Sequence, residues 1–297
     1  MSSPPIFFPR TLAEACEILA DYDGQAKVVA GATALSLLMG QKLVDPEGLV
    51  SLSRIPDLDR ITVADGVLTL GALVKHTEVD RSELVREHAP VLAQSFAVVG
   101  NPRIRAAATV GGVLAEADYA SDPPAPVVLL DGWVTAVGPH GTREIAATDL
   151  FVGFYETSLE PDEVISHLHV PVTDPAAFTS YLKYSSRSAE DRPCVGVAVL
   201  VRVDDDGSCA DVRVSVGAAA EVPLRLREVE REAIGHRLDE ARIARIGQAY
   251  ADALDPIEDV RGSGWYRTEM TRNLISRALT NARDASARAT GAGENKP

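Results

Sequence analysis

Apolar and polar positions alternate along this chain with two different periods, and the changes of period mark its elements. Leu12, Ala15, Cys16 and Leu19 fall on one helical face, with Thr11 placed to cap it and Glu14 placed to complete a capping box. Residues 27–30 read as a short buried strand, 34–39 as a helix ended by Gly40 or the following turn, and 49–52 as a second strand. The first sixty residues are therefore α-β-α-β. Residues 61–74 alternate around Ala64-Asp65-Gly66, a hairpin signal. Helical patterns follow at 76–87 and 91–99, divided by Pro90, and a second apolar pair, 127–130 and 133–137, surrounds Asp131-Gly132. A strand within 161–171 closes this lobe.

Beyond Asp174-Pro175, residues 181–186, 195–203 and 212–218 have strand character and make an antiparallel sheet. Residues 226–236, 239–254 and 265–280 are helical in period. The stretch after Arg283 is small and polar, the composition of a disordered tail. The fold class expected is α+β: an N-terminal lobe over 1–59, a second lobe over 60–171, a C-terminal α+β domain over 172–283, and a tail over 284–297.

Composition narrows the function. With 297 residues the chain exceeds most single cores. A net charge of −14 argues against a nucleic-acid surface, which needs clustered lysine and arginine. Three scattered cysteines, with no C-x-x-C, exclude a self-contained iron–sulfur or structural zinc site and fit a reducing compartment. No basic leader followed by an apolar run is present, and no uninterrupted stretch of about 18 apolar residues. A cytoplasmic protein without a membrane span is expected.

Two loops carry the candidate chemistry. In KVVAGATALSLLM and AATVGGVLAEADYASD a β-branched run breaks into glycine, alanine and threonine. Such loops let backbone approach a ligand and leave N–H groups free to face one anion. Asp122, following the second loop, is a carboxylate able to accept from a ribose hydroxyl; two diphosphate-facing loops and a ribose acceptor suit an adenine dinucleotide. Neither G-x-G-x-x-G nor G-x-x-x-x-G-K-[ST] occurs, which weakens nicotinamide and nucleoside-triphosphate readings. His167 and His169 share a strand face without an evident third ligand. The Asp204-Asp205-Asp206-Gly207 run has Ser215 where a calcium loop needs glutamate, so it reads as a turn. G-x-S-x-G and H-E-x-x-H are both missing. No metal ligand set and no catalytic side chain is assigned.

The order of segments resembles the FAD-binding (medium) subunits of molybdenum hydroxylases, of the carbon monoxide dehydrogenase, xanthine dehydrogenase and aldehyde oxidase type. VVAGATAL is similar to that family's first FAD loop, and GNPRIRAAATVGGVLAEADYASDPPAPVVLLD to its second. FVGFYETSLEPDEVISHLHVP, YLKYSSRSAEDRPCVGVAV and DVRGSGWYRTEMTRNLISRAL resemble its later segments. The resemblance implies a two-lobed FAD-binding domain of the vanillyl-alcohol-oxidase/PCMH type, followed by the C-terminal domain. It implies that backbone groups of Gly31, Ala32, Thr33, Ala34 and Leu35 meet the FAD diphosphate from one side and Thr109, Gly111 and Gly112 from the other. Asp122 would hold the adenosine ribose and Lys183 approach the isoalloxazine, with Ala30, Leu114 and Ser121 also among the cofactor-binding residues. Ala32, Val113 and Tyr119 stand where the family often has glycine, asparagine and proline.

As implied partners come a small subunit with [2Fe–2S] clusters, a large molybdopterin subunit that oxidises substrate, and an external electron acceptor, in a dimer of heterotrimers. A stand-alone FAD-dependent oxidoreductase and an assembly module with a decayed FAD site are the alternative readings.

Overall fold

A computed structural model describes residues 4–289. Three sheets of three or more strands follow one another along the chain, and a two-stranded antiparallel ribbon, Phe151–Gly153 with Glu156–Thr157, precedes the last strand of the second. The first is parallel, ordered Ile6–Phe7, Gly48–Ser51, Ala26–Val29. Helix Leu12–Asp21 covers it, burying Ala15, Cys16 and Leu19. Thr11 accepts from the Glu14 N–H, while the Glu14 carboxylate receives the N–H of Arg10 rather than that of the cap residue, so the box closes one residue early. The Ile6–Phe7 strand is an addition to the expected α-β-α-β order.

The second sheet is antiparallel and five-stranded, ordered Ile61–Ala64, Val67–Gly71, Val164–Pro171, Trp133–Gly138, Gly141–Ala146. Its last strand in sequence lies at its centre, because Leu168 pairs with Leu70 on one side and Val134 on the other. Those residues and Leu68, Ala136 and Val170 make one buried face, on which helices Pro90–Ala97, Val110–Glu116 and Pro124–Leu129 pack. Residues 76–87 form two helices, His76–Arg81 and Glu83–His88, because the Ser82 hydroxyl caps the second. Of the apolar run 127–130, the first three residues end helix Pro124–Leu129 and Leu130 is its C-cap.

The third sheet, Phe178–Tyr184, Val195–Val203, Cys209–Gly217, is an antiparallel meander. Its middle strand is almost wholly buried. Ala198 and Leu200 join the core of the second lobe, whereas Val195, Val197, Val199, Val201 and Val203 pack beneath helices Glu240–Ala253 and Gly264–Ala289. Within 226–236 only Arg227–Arg231 is α-helical. The last helix runs to Ala289 and buries Ser286, so residues 284–289 of the expected tail are ordered; 290–297 lie outside the described residues. Among the described residues no helix is long and apolar enough to cross a membrane.

Candidate functional site

The first loop leaves strand Ala26–Val29 through Ala30 and Gly31 and enters helix Thr33–Gly40 at Ala32, whose φ of 56° is left-handed. The first backward bond runs from the Ser36 N–H to the Ala32 carbonyl at 3.0 Å. The amides of Thr33, Ala34 and Leu35 therefore lie at the open helix N-terminus, the electropositive end suited to an anion. Residues 30–35 are half-buried, and the helix buries none of its residues fully.

The second loop is held more firmly. The Thr109 hydroxyl accepts from the Gly112 N–H at 3.2 Å, capping Val110–Glu116. The N–H of Val110 donates to the Val74 carbonyl and that of Gly111 to the Ala72 carbonyl, at 3.0 and 2.9 Å. The amides of Gly111 and Gly112 are thus already committed within the protein, which narrows the expectation that they face an anion. The Leu114 side chain lies wholly in the core, and Gly112 is exposed.

Two residues outside the sequence expectation fix this loop. The His76 N–H donates to Ala108 O at 3.1 Å, and its Nε2 lies 3.2 Å from Thr109 O. A carbonyl only accepts, so Nε2 carries the proton. Burial lowers the imidazole to about 4. Lys75 Nζ adds a bond to Ala107 O at 3.3 Å. The loops meet at Gly31, where a Cβ would lie 2.1 Å from Ala107 O.

Asp122 and Lys183 come together across the boundary to the C-terminal sheet. Lys183 Nζ donates to Asp122 Oδ2 at 3.0 Å and to the Val98 carbonyl at 2.8 Å, and the Tyr181 hydroxyl donates to Asp122 Oδ1 at 2.8 Å. Tyr181 and Lys183, two apart on one strand, share a face. Burial raises the Asp122 carboxyl to about 6, against the pull of Lys183 and Tyr181. An ammonium has three N–H donors, and these contacts use two. Ser121, only partly buried, donates its N–H to Asp118 O. No sequence period pointed to Tyr181 or Val98, because their contacts with Asp122 and Lys183 span 59 and 85 residues.

The remaining candidates have structural partners. Val113 packs against the core of the second lobe. Tyr119 bonds Asp259 and Arg261 and sets its ring against Phe154 and Tyr155. His169 places one ring nitrogen 3.0 Å from Thr69 Oγ1 and the other 2.8 Å from Thr135 Oγ1. Among the described residues no group of three or more His, Cys, Asp or Glu is arranged to hold a metal.

Two family models match the chain: one described as the FAD binding domain in molybdopterin dehydrogenase, over residues 2–173, and one described as the CO dehydrogenase flavoprotein C-terminal domain, over 180–282. Two relatives come from Paenarthrobacter nicotinovorans. The 6-hydroxypseudooxynicotine dehydrogenase complex subunit alpha is 31% identical, with 92% of each chain covered. The nicotine 6-hydroxylase medium subunit is 32% identical, covering 92% of this chain and 95% of the relative. Among solved structures, a carbon monoxide dehydrogenase from Hydrogenophaga pseudoflava superposes with a TM-score of 0.92 at 28% identity, over 96% of this chain and 98% of the other.

Proposed function

Since this chain belongs to the family of FAD-binding subunits of molybdopterin dehydrogenases, with FAD as its own cofactor, we propose that it is the electron-transfer subunit of a molybdenum-containing hydroxylase. It takes electrons from [2Fe–2S] clusters of a small partner subunit and passes them to an external acceptor, while a large molybdopterin subunit oxidises the substrate. FAD suits that post because it can take up electrons singly and release them as a pair. The observation that carries the reading is the meeting of the two loops at Gly31, beside a helix whose first amides lie at an open N-terminus.

The residues present fit the cofactor. Gly31, Ala32, Thr33, Ala34 and Leu35 would face the diphosphate with backbone N–H groups, and Ala30 would lead into them. Thr109 and Gly112 would form the opposite wall, with Gly111 and Leu114 anchoring it from beneath. Asp122 and Lys183 are in contact, which favours one shared role over the separate ribose and isoalloxazine roles that the resemblance implies. We therefore move Asp122 from the adenosine ribose to the flavin end, where Lys183 has one N–H left to offer and Ser121 lies adjacent. A cation there favours the reduced, more negative flavin.

Relatives named for nicotine and for carbon monoxide match nearly the whole of this chain, which supports placing substrate choice on another polypeptide. Three free, buried cysteines suit a reducing cytoplasm, and the assembly expected is a dimer of heterotrimers. Absorbance of the purified protein tests the cofactor role: flavin bands that pass into the supernatant on acid precipitation are expected. A colourless protein that cannot be reconstituted with FAD overturns the reading. Co-purification with an iron–sulfur chain and a molybdenum chain tests the partners, and a lone chain that turns over a substrate unaided would contradict them.

A further inference from the structure

The Asp122–Lys183 pair has a third member, and the strand beside it is shaped around that member. Tyr181 is buried, its backbone N–H donates to Gln94 Oε1 at 2.8 Å, and its hydroxyl donates to Asp122 Oδ1 at 2.8 Å. The phenol lies against Gly196 in the most buried strand of the C-terminal sheet, where a Cβ would come 2.3 Å from the Tyr181 oxygen. Glycine inside a strand weakens it and often marks a close approach. Here the space it leaves is filled by the hydroxyl that reaches Asp122. Lys183 is the residue opposite Gly196 in the pairing register, so the glycine, the tyrosine and the lysine sit at one spot of the sheet.

We propose that Tyr181, seated over Gly196, is a positioning residue of the flavin site: its hydroxyl fixes Asp122, and through Asp122 it fixes the place and neutralisation of the Lys183 ammonium. The inference rests on the FAD reading above and adds to it a residue that touches no cofactor.

Burial, the largest influence, raises the Asp122 carboxyl, and three groups act on it besides: Lys183 and Tyr181 from the C-terminal sheet and Asp118 from its own segment, the last paired with Arg192 at 2.8 Å. A hydroxyl donating to the carboxylate favours its ionised form. Without that donor Asp122 takes up a proton at higher pH, and Lys183 is left as an unneutralised cation. Reduced flavin, the more negative form, is then favoured near neutrality.

The test is the midpoint potential of FAD in reconstituted protein between pH 5.5 and 9, for the wild type and Tyr181→Phe. The expected result is a positive shift in the variant near pH 6–7 that vanishes by pH 9. A tyrosine that only fills space would leave the two curves superimposed or offset equally at every pH, and either result overturns the proposal. Gly196→Ala keeps the phenol but displaces its oxygen, and should reproduce the pH-dependent shift; a wild-type curve from folded Gly196→Ala protein also overturns it. Wild-type protein that takes up no FAD removes the cofactor reading and this inference with it, an outcome distinct from a failure of the variants alone.

Discussion

Ala32 is held at φ 56°, ψ 11° just before the helix whose first amides would face the proposed diphosphate. A left-handed conformation costs an L-residue about 1–2 kcal/mol, and glycine avoids that cost while losing more chain entropy on folding. Ala32→Gly is therefore expected to stabilise the protein by about 1 kcal/mol, seen as a higher denaturation midpoint, with FAD affinity equal or tighter. A lower midpoint would show that the methyl group packs usefully. His76 makes the opposite kind of contribution. It is buried, its Nε2–H is given to Thr109 O, and its folded value of about 4 lies below the ordinary 6.5. Between those values the unfolded chain binds more protons than the folded one. Stability present above pH 6.5 is lost as pH falls toward 4, by about 3 kcal/mol from this residue. Denaturation midpoints at pH 7 and 4.5 should diverge in the wild type and converge in His76→Gln. Equal acid sensitivity in both proteins would assign the loss to other groups.

At the scale of elements, the two loops meet only because strand Ala26–Val29 and helix Pro102–Ala107 deliver them to a contact without a side chain between them. Gly31→Ala places its new carbon 2.1 Å from the Ala107 carbonyl oxygen. Backbone must move, at about 1–3 kcal/mol for overpacking of this kind. FAD should be lost during gel filtration while circular dichroism stays folded; full retention of FAD would mean that the loops need not touch. The glycine composition of both loops is legible in the sequence, as are strands such as Val195–Val203, since hydrophobic period records burial. Other features leave no periodic trace. Ile6–Phe7 is too short for a period, the break at Ser82 is a local hydroxyl-to-amide bond, and helix Gly264–Ala289 continues beyond the expected 280 through a mostly polar sequence that still buries Ala282 and Ser286. Asp122 and Lys183 were each legible as candidates. Their contact was not, because it is made by tertiary packing across 61 residues.

For the whole molecule, that contact means the proposed flavin site would be only as well aligned as the joint between the second lobe and the C-terminal domain. Asp131 fastens the joint from the lobe's side. Held at φ 56°, it accepts from Arg213 at 3.1 Å, Arg225 at 2.8 Å and Arg227 at 2.5 Å. Arg225 also donates to Glu230 and to the carbonyls of Val128 and Leu129. In Asp131→Ala the nearly buried Arg225 keeps those partners, so no charge is orphaned and the loss stays modest, about 1–2 kcal/mol for partly exposed pairs. Its position should matter more than its size. Lys183 and Tyr181 belong to the C-terminal sheet and Asp122 to the lobe, so a looser joint separates members of one hydrogen-bonded group. FAD affinity should then fall together with melting temperature in Asp131→Ala. In Arg60→Ala, a control that breaks the exposed pair with Asp57 away from the joint, neither should move. High salt should weaken FAD retention by the wild type only slightly, because Arg225 is screened from solvent whereas Arg227 is half-exposed. If Asp131→Ala melts earlier yet binds FAD with wild-type affinity, the shared apolar core around Ala198 and Leu200 holds the two parts in register by itself, and the arginine cluster contributes stability without alignment.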